Sequence, residues 1–329
     1  MPVLHGGLNL YGDGVTIAWT PLPYRDGGTA PLREDVSAAL ETRLREWLHA
    51  AVLRHGEDVW QRVAIRCDLV LDTEDGFDQS DVDHPERLAY WTPTEQLLEA
   101  IDALLDLLPL PMPTVVPARP GPPAGDMSKP GALRTLAAGI YAAQAQQHIV
   151  SRKPLQRLLD DACSRYTVRS DGRALVARVD PAVARTLKAS LDSADRPERG
   201  SASEHLHEAI TQAYALVPDP VKAYSEAIKA VESAAHATLD PKRDRATLGT
   251  MLGELPKIAH KLVFEIEGAD PQDGIEMVRR MMLQLWDGQT SRHGKQRPTR
   301  KETQAEAVAA VHLAAVLVQY FSSGAIRRA

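Results

Sequence analysis

The chain has 329 residues, enough for two or three domains, with 44% hydrophobic and 25% charged residues and a net charge of −6, as in ordinary globular proteins. Aromatic residues are only 5%, and alanine and leucine dominate the apolar stretches, which favours helix-on-helix packing over a β-sandwich. No apolar run approaches the ~18 residues of a membrane span, the first residues lack a basic stretch followed by an apolar core, and Cys67 and Cys163 have no CxxC spacing; the expectation is a cytoplasmic, mainly α protein with reduced core thiols and no zinc or disulfide.

The first 28 residues are rich in glycine and proline, with a β-like stretch from Val15 to Trp19. A helix follows Pro31, because Leu40, Leu44, Trp47, Leu48 and Ala51 recur at helical spacing. A second is expected over Asp58–Leu71, then an acidic loop (72–83) whose spacing does not fit an EF-hand. A third begins at Thr92, read as an N-cap with Pro93 at the first helical position and Glu95 closing a capping box. Residues 1–108 form one acidic helical domain in this reading. Pro109 to Gly131 holds eight prolines and reads as a linker.

Residues 132–200 read as a helical segment with a hairpin: helices over Leu133–Ile149 and Pro154–Arg165, strands turned by Asp171-Gly172, and a helix opened by Asp180-Pro181. Residues 201–329 read as one helical bundle. Its helices are punctuated by a Ser201/Glu204 capping box, Asp219-Pro220, Thr247, Asp270-Pro271, a Thr299/Glu302 capping box and Ser323-Gly324. The last helix, 302–321, is apolar almost all round and is expected to be the most buried.

Charge is unevenly distributed. Residues 1–108 contain 8 Lys/Arg and 20 Asp/Glu, a net −12. From Arg292 to Lys301 there are five cations (Arg292, Lys295, Arg297, Arg300, Lys301) and no acid, a cluster that attracts phosphate. No Walker loop, GxGxxG, GxSxG or HExxH motif is present, so no cofactor or metal is expected. His205 and His207 read as a helix-surface pair and His312 as a bundle-lining histidine. His293, in LWDGQTSRHG (285–294), lies between two apolar helices with cations on both sides. A histidine titrating near neutrality can take the proton of a ribose 2′-OH, and an adjacent arginine can offset charge on the phosphate, which suits RNA cleavage without a metal. Equally, Gly288, Arg292, His293 and Gly294 can simply shape an interhelical loop.

The segments DPVKAYSEAIKAVESAA (219–235), RATLGTMLGEL (245–255), LWDGQTSRHG (285–294) and the apolar helix ending YFSSG (320–324) carry a family likeness. From about Ser203 to Ala329 the chain resembles the C-terminal domain of abortive-infection proteins, a branch of the HEPN superfamily of helical bundles. The preceding segment, from Leu155 to Asp180, resembles the same region of related actinobacterial defence-like proteins. The resemblance implies a HEPN-like bundle, a homodimer through it, RNA as partner, and metal-independent cleavage by an arginine and a histidine with four to six residues between them, ahead of the last helix. With His293 as that histidine, the arginine position falls on Trp286, Asp287 or Gly288, none of them arginine. Asp287 matches the polar residue that follows the family arginine, Arg292 adjoins the histidine, and Glu232 lies off the main apolar stripe of its helix, open to a cleft near His293 or to a pairing with Lys229. Two functions therefore stand. One is an RNA-cleaving effector of antiphage defence using His293, Arg292, Asp287 and Glu232, with Lys295, Arg297, Arg300 and Lys301 binding RNA. The other is a catalytically inactive HEPN-like regulator that binds RNA or a protein, a phage factor among the candidates.

Overall fold

The structure is a computed structural model that describes residues 32–55, 57–71, 84–109, 152–243, 245–266, 268, 270–291 and 299–329. The β-like stretch near Val15, the acidic loop, nearly all of the proline-rich segment and the helix expected over 133–149 lie outside these residues. Among the described residues the protein is mainly α: eleven α-helices and two small two-stranded antiparallel sheets, one of them a mid-chain hairpin. They fall into two compact units that divide between residues 176 and 177.

The first unit contains α1 (Ala38–Leu53), α2 (Glu57–Arg66), α3 (His84–Trp91), α4 (Leu97–Leu107), α5 (Lys153–Asp161) and the hairpin strands β1 (Tyr166–Val168) and β2 (Leu175–Ala177), the last up to Val176. Leu44 and Leu48 of α1, Leu88 of α3, Ile101, Leu104 and Leu105 of α4 and Leu155 and Leu159 of α5 are fully buried, so the helical spacing read in the sequence becomes one apolar core. Gly172 turns the hairpin at a φ of +72°, a conformation that glycine adopts without a β-carbon clash. Thr92 does not cap α4. Its buried hydroxyl donates 2.5 Å back to the Leu88 carbonyl at the end of α3, and a 3₁₀ turn over Thr94–Gln96 precedes the helix.

The second unit is a bundle of α6 (Pro181–Ala194), α7 (Ala202–Tyr214), α8 (Pro220–Leu239), α9 (Leu248–Ile258), α10 (Pro271–Gly288) and α11 (Gln304–Ser323). Strands β3 (Leu262–Phe264) and β4 (Ile326–Arg328) pair at its side, Leu262 opposite Arg328 and Phe264 opposite Ile326. Three helices start as their Asp-Pro pairs dictate. Asp180, Asp219 and Asp270 accept hydrogen bonds from the amides of Ala182, Lys222 and Gln272, and proline supplies the first helical position, where no donor is needed. The hydrophobic core runs from Val179 to Ile326 and includes Leu187 and Leu191 of α6.

Neither of the two capping boxes expected in this unit is formed. Ser201 makes no side-chain cap to α7. The last helix starts two residues later than expected, capped by Thr303 and Glu306 rather than Thr299 and Glu302. That helix, α11, packs against α6, α7, α8 and α10, and is long and apolar enough to cross a membrane by length and composition. It is not the most buried member. Helix α8 buries eleven residues against nine for α11, because Ala305 and Ala309 of α11 face outward while α8 buries even Glu226 and Thr238. An alanine tolerates solvent at little cost, so an all-round apolar pattern rich in alanine overstates burial.

Candidate functional site

The expected site lies where α10 ends and α11 begins. Of the expected residues, Arg292, His293, Lys295 and Arg297 lie outside the described residues, whereas Asp287, Glu232, Arg300 and Lys301 are placed. The two ends of the connecting loop are tied together. Glu302, only 4% exposed, accepts a hydrogen bond at Oε1 from the Ser291 amide at 2.8 Å, and the Thr290 hydroxyl stands 3.3 Å from the same oxygen. The Thr290 hydroxyl also donates to the Arg300 carbonyl at 2.6 Å. Burial pushes the Glu302 carboxyl up, but the amides and hydroxyls that surround it outweigh this and hold it below the usual range.

The next residues settle whether an arginine has room at the end of α10. The Trp286 ring packs on α9, and a β-carbon on Gly249 would lie 2.7 Å from it, so this glycine is the seat for the indole. Gly288 is the second close approach. The Tyr224 hydroxyl donates to the Leu285 carbonyl at 3.1 Å and lies against Gly288, where a β-carbon would overlap it. Asp287, between them, is exposed. Two of the three positions at which the resemblance asks for arginine are therefore committed to packing.

Glu232 is also committed. Its Oε1 accepts from the Leu248 amide at 2.6 Å, which satisfies one of the open donors at the start of α9. It thus stands at the end of α9 that seats Trp286. Lys229 reaches Glu226 at 2.7 Å, so the pairing considered between Lys229 and Glu232 is replaced by this one. Arg300 makes a two-pronged contact with Glu306, 2.6 and 2.8 Å, and Glu306, which also closes the cap at Thr303, is held at a pKa of about 2 first by that arginine. Lys301 is exposed. One of the two described cations of the loop is thus neutralised within the chain, and the other faces solvent.

His205 and His312 have local roles. His205 Nδ1 lies 2.6 Å from Glu226 Oε2, linking α7 to α8. His312 Nε2 is 2.7 Å from the Tyr214 hydroxyl, and burial pushes its pKa down. Among the described residues no group of three or more His, Cys, Asp or Glu side chains is placed to hold a metal.

Two residues that organise this end of the bundle were not legible as such. Tyr224 reads as one more apolar position on its stripe, and Glu302 as a helix cap. The available signal for Glu302 is an acid closing a run of five cations. The chain matches no family model, no curated protein and no solved structure.

Proposed function

We propose that the bundle of residues 177–329 is a HEPN-like module of the abortive-infection kind, homodimeric, that binds RNA at its loop end without cutting it. The observation that supports this reading is the packing at the end of α10. Trp286 is seated on Gly249, and Gly288 is closed by the Tyr224 hydroxyl, so two of the three residues that stand at the family's arginine position serve the packing. Glu232 likewise spends an oxygen on the Leu248 amide. Phosphate recognition falls to Lys301 with Arg292, Lys295 and Arg297, and to Arg300 to the extent that Glu306 releases it.

A second reading keeps the cleaving effector, with His293 as base and Arg292 offsetting charge. It is favoured by the exposure of Asp287 in the last turn of α10, which leaves a carboxylate open to the same end of the bundle.

The two separate in one experiment. Labelled single-stranded RNA is incubated with the full chain in a chelator, and both retention and fragment pattern are read for the wild type, His293→Ala and Lys301→Ala. The first reading expects intact RNA, salt-sensitive binding and weaker binding by Lys301→Ala. Fragments that disappear with His293→Ala establish the second. Neither binding nor cleavage removes both and leaves a protein as the partner.

A further inference from the structure

The solvent face of α10 carries a charge pattern that a second copy of the same helix would complement. Within the bundle unit, the exposed large apolar side chains among the described residues are Val217, Val263, Ile266 and Met277, and only Met277, 42% exposed, lies inside a helix. It sits in a shallow groove between α10 and α11 with Met281 and Leu313, flanked by Asp273, Glu276 and Arg280. The spacing 273, 277, 280 places Asp273, Met277 and Arg280 on one line along the helix. Glu276 is used within the chain: its oxygens take Arg279 at 2.6 and 2.8 Å and Arg280 at 3.0 Å. Arg280 nevertheless keeps its side chain 76% exposed, with guanidinium donors to spare, and Asp273 is exposed one turn beyond Met277.

Asp273 and Arg280 are seven residues apart, about 10 Å at ~1.5 Å per residue. A twofold axis crossing α10 between Glu276 and Met277 sets Asp273 of each copy opposite Arg280 of the other and brings the two Met277 side chains together at the centre. A parallel arrangement would set like charge on like charge. The pattern therefore selects an antiparallel, isologous pairing, in which each favourable contact occurs twice.

We infer that α10 pairs antiparallel with α10 of a second copy, around Met277 and through reciprocal Asp273–Arg280 contacts. This specifies the surface of the homodimer proposed above and rests on that part of the reading, not on RNA binding.

The test uses the full chain in sedimentation velocity across micromolar concentrations, with circular dichroism to verify folding. Asp273→Lys and Arg280→Glu are each measured alone and then mixed in equal amounts. Each variant alone sets like charges face to face and is expected to weaken dimerisation about tenfold or more, while the mixture restores opposite charges at both contacts and dimerises again. Folded variants that dimerise as tightly as the wild type place the dimer on another surface, which overturns this inference and leaves the homodimer standing. A mixture that stays monomeric rejects the antiparallel register. A wild type that is monomeric throughout removes both the inference and the proposed dimer, whereas RNA binding is judged by its own assay.

Discussion

The hydroxyl of Tyr224 lies against Gly288, closing the space that a β-carbon there would need while it donates to the Leu285 carbonyl. A buried tyrosine must find a partner for its hydroxyl, and here the partner is backbone one turn before the helix ends. The glycine is what lets that hydroxyl in. The two residues thus fix how α8 meets the end of α10, and with it the start of the loop that carries the cations.

Gly288→Ala is the first consequence. In an exposed helix this change stabilises by up to ~1 kcal/mol. At this position the sign is expected to reverse, to a loss of about 1–3 kcal/mol from overpacking. Tyr224→Phe removes the obstructing oxygen, so the double variant should lose less than the two single losses combined. Urea denaturation of the four proteins forms the cycle, and simple additivity would show that the pair does not interact.

Glu302 is expected to hold the loop ends together. Glu302→Ala removes the acceptor for the Ser291 amide and is expected to cost about 1–3 kcal/mol. Because the native carboxyl titrates below its ordinary 4.5, its contribution is complete above that value and is lost as pH falls through the lower native one. Glu302→Gln keeps an acceptor but no titration, so its stability should vary less with pH on the acid side than that of the wild type. Parallel acid limbs for the two proteins would contradict the assignment. Amide exchange at Ser291 gives an independent reading: it should quicken in Glu302→Ala.

Glu232 separates capping from catalysis. If its work is to accept from the Leu248 amide, Glu232→Ala loses about 1 kcal/mol and Glu232→Gln, which retains a carbonyl acceptor, loses much less. Thermal melts measure both. A Glu232→Gln protein of unchanged stability that abolishes an RNA-cleaving activity would instead restore the catalytic role.

Glu306 sets how much of the loop's charge reaches a ligand. Glu306→Gln preserves the reciprocal hydrogen bonds of the cap with Thr303 but frees Arg300. RNA affinity should rise several-fold, and the slope of log K against log salt should steepen by about one cation's worth, ~0.7 for a single strand. The slopes are read from binding titrations at four salt concentrations. An unchanged slope would mean that Arg300 takes no part.

What the sequence made legible follows the range of the interaction. Asp180, Asp219 and Asp270 cap their helices as read, because an N-cap aspartate and the proline after it need only their immediate neighbours. The S/T-x-x-E pattern fails at Ser201 and shifts by four residues at the last helix, because a carboxylate that can close a cap can also serve elsewhere. Glu302 goes instead to Ser291, eleven residues away, which no local pattern encodes. The hairpin was readable from Asp171-Gly172, whereas the Tyr224–Gly288 contact spans α8 and α10 and required the fold. At the candidate site the sequence located the loop and its cations, and it put Trp286, Asp287 and Gly288 where the resemblance asks for arginine. Why glycine and tryptophan stand in that stretch emerged only from Tyr224 and Gly249.

Helix α11 has four helical neighbours, α6, α7, α8 and α10, and an apolar surface nearly all round. Detaching any one neighbour bares part of a twenty-residue segment that water solvates poorly. The surrounding helices consequently share a single fate. Partial openings of the bundle are penalised as if they were complete ones, so its amides on α8 and α11 should exchange only when the whole unit comes apart, in one cooperative event.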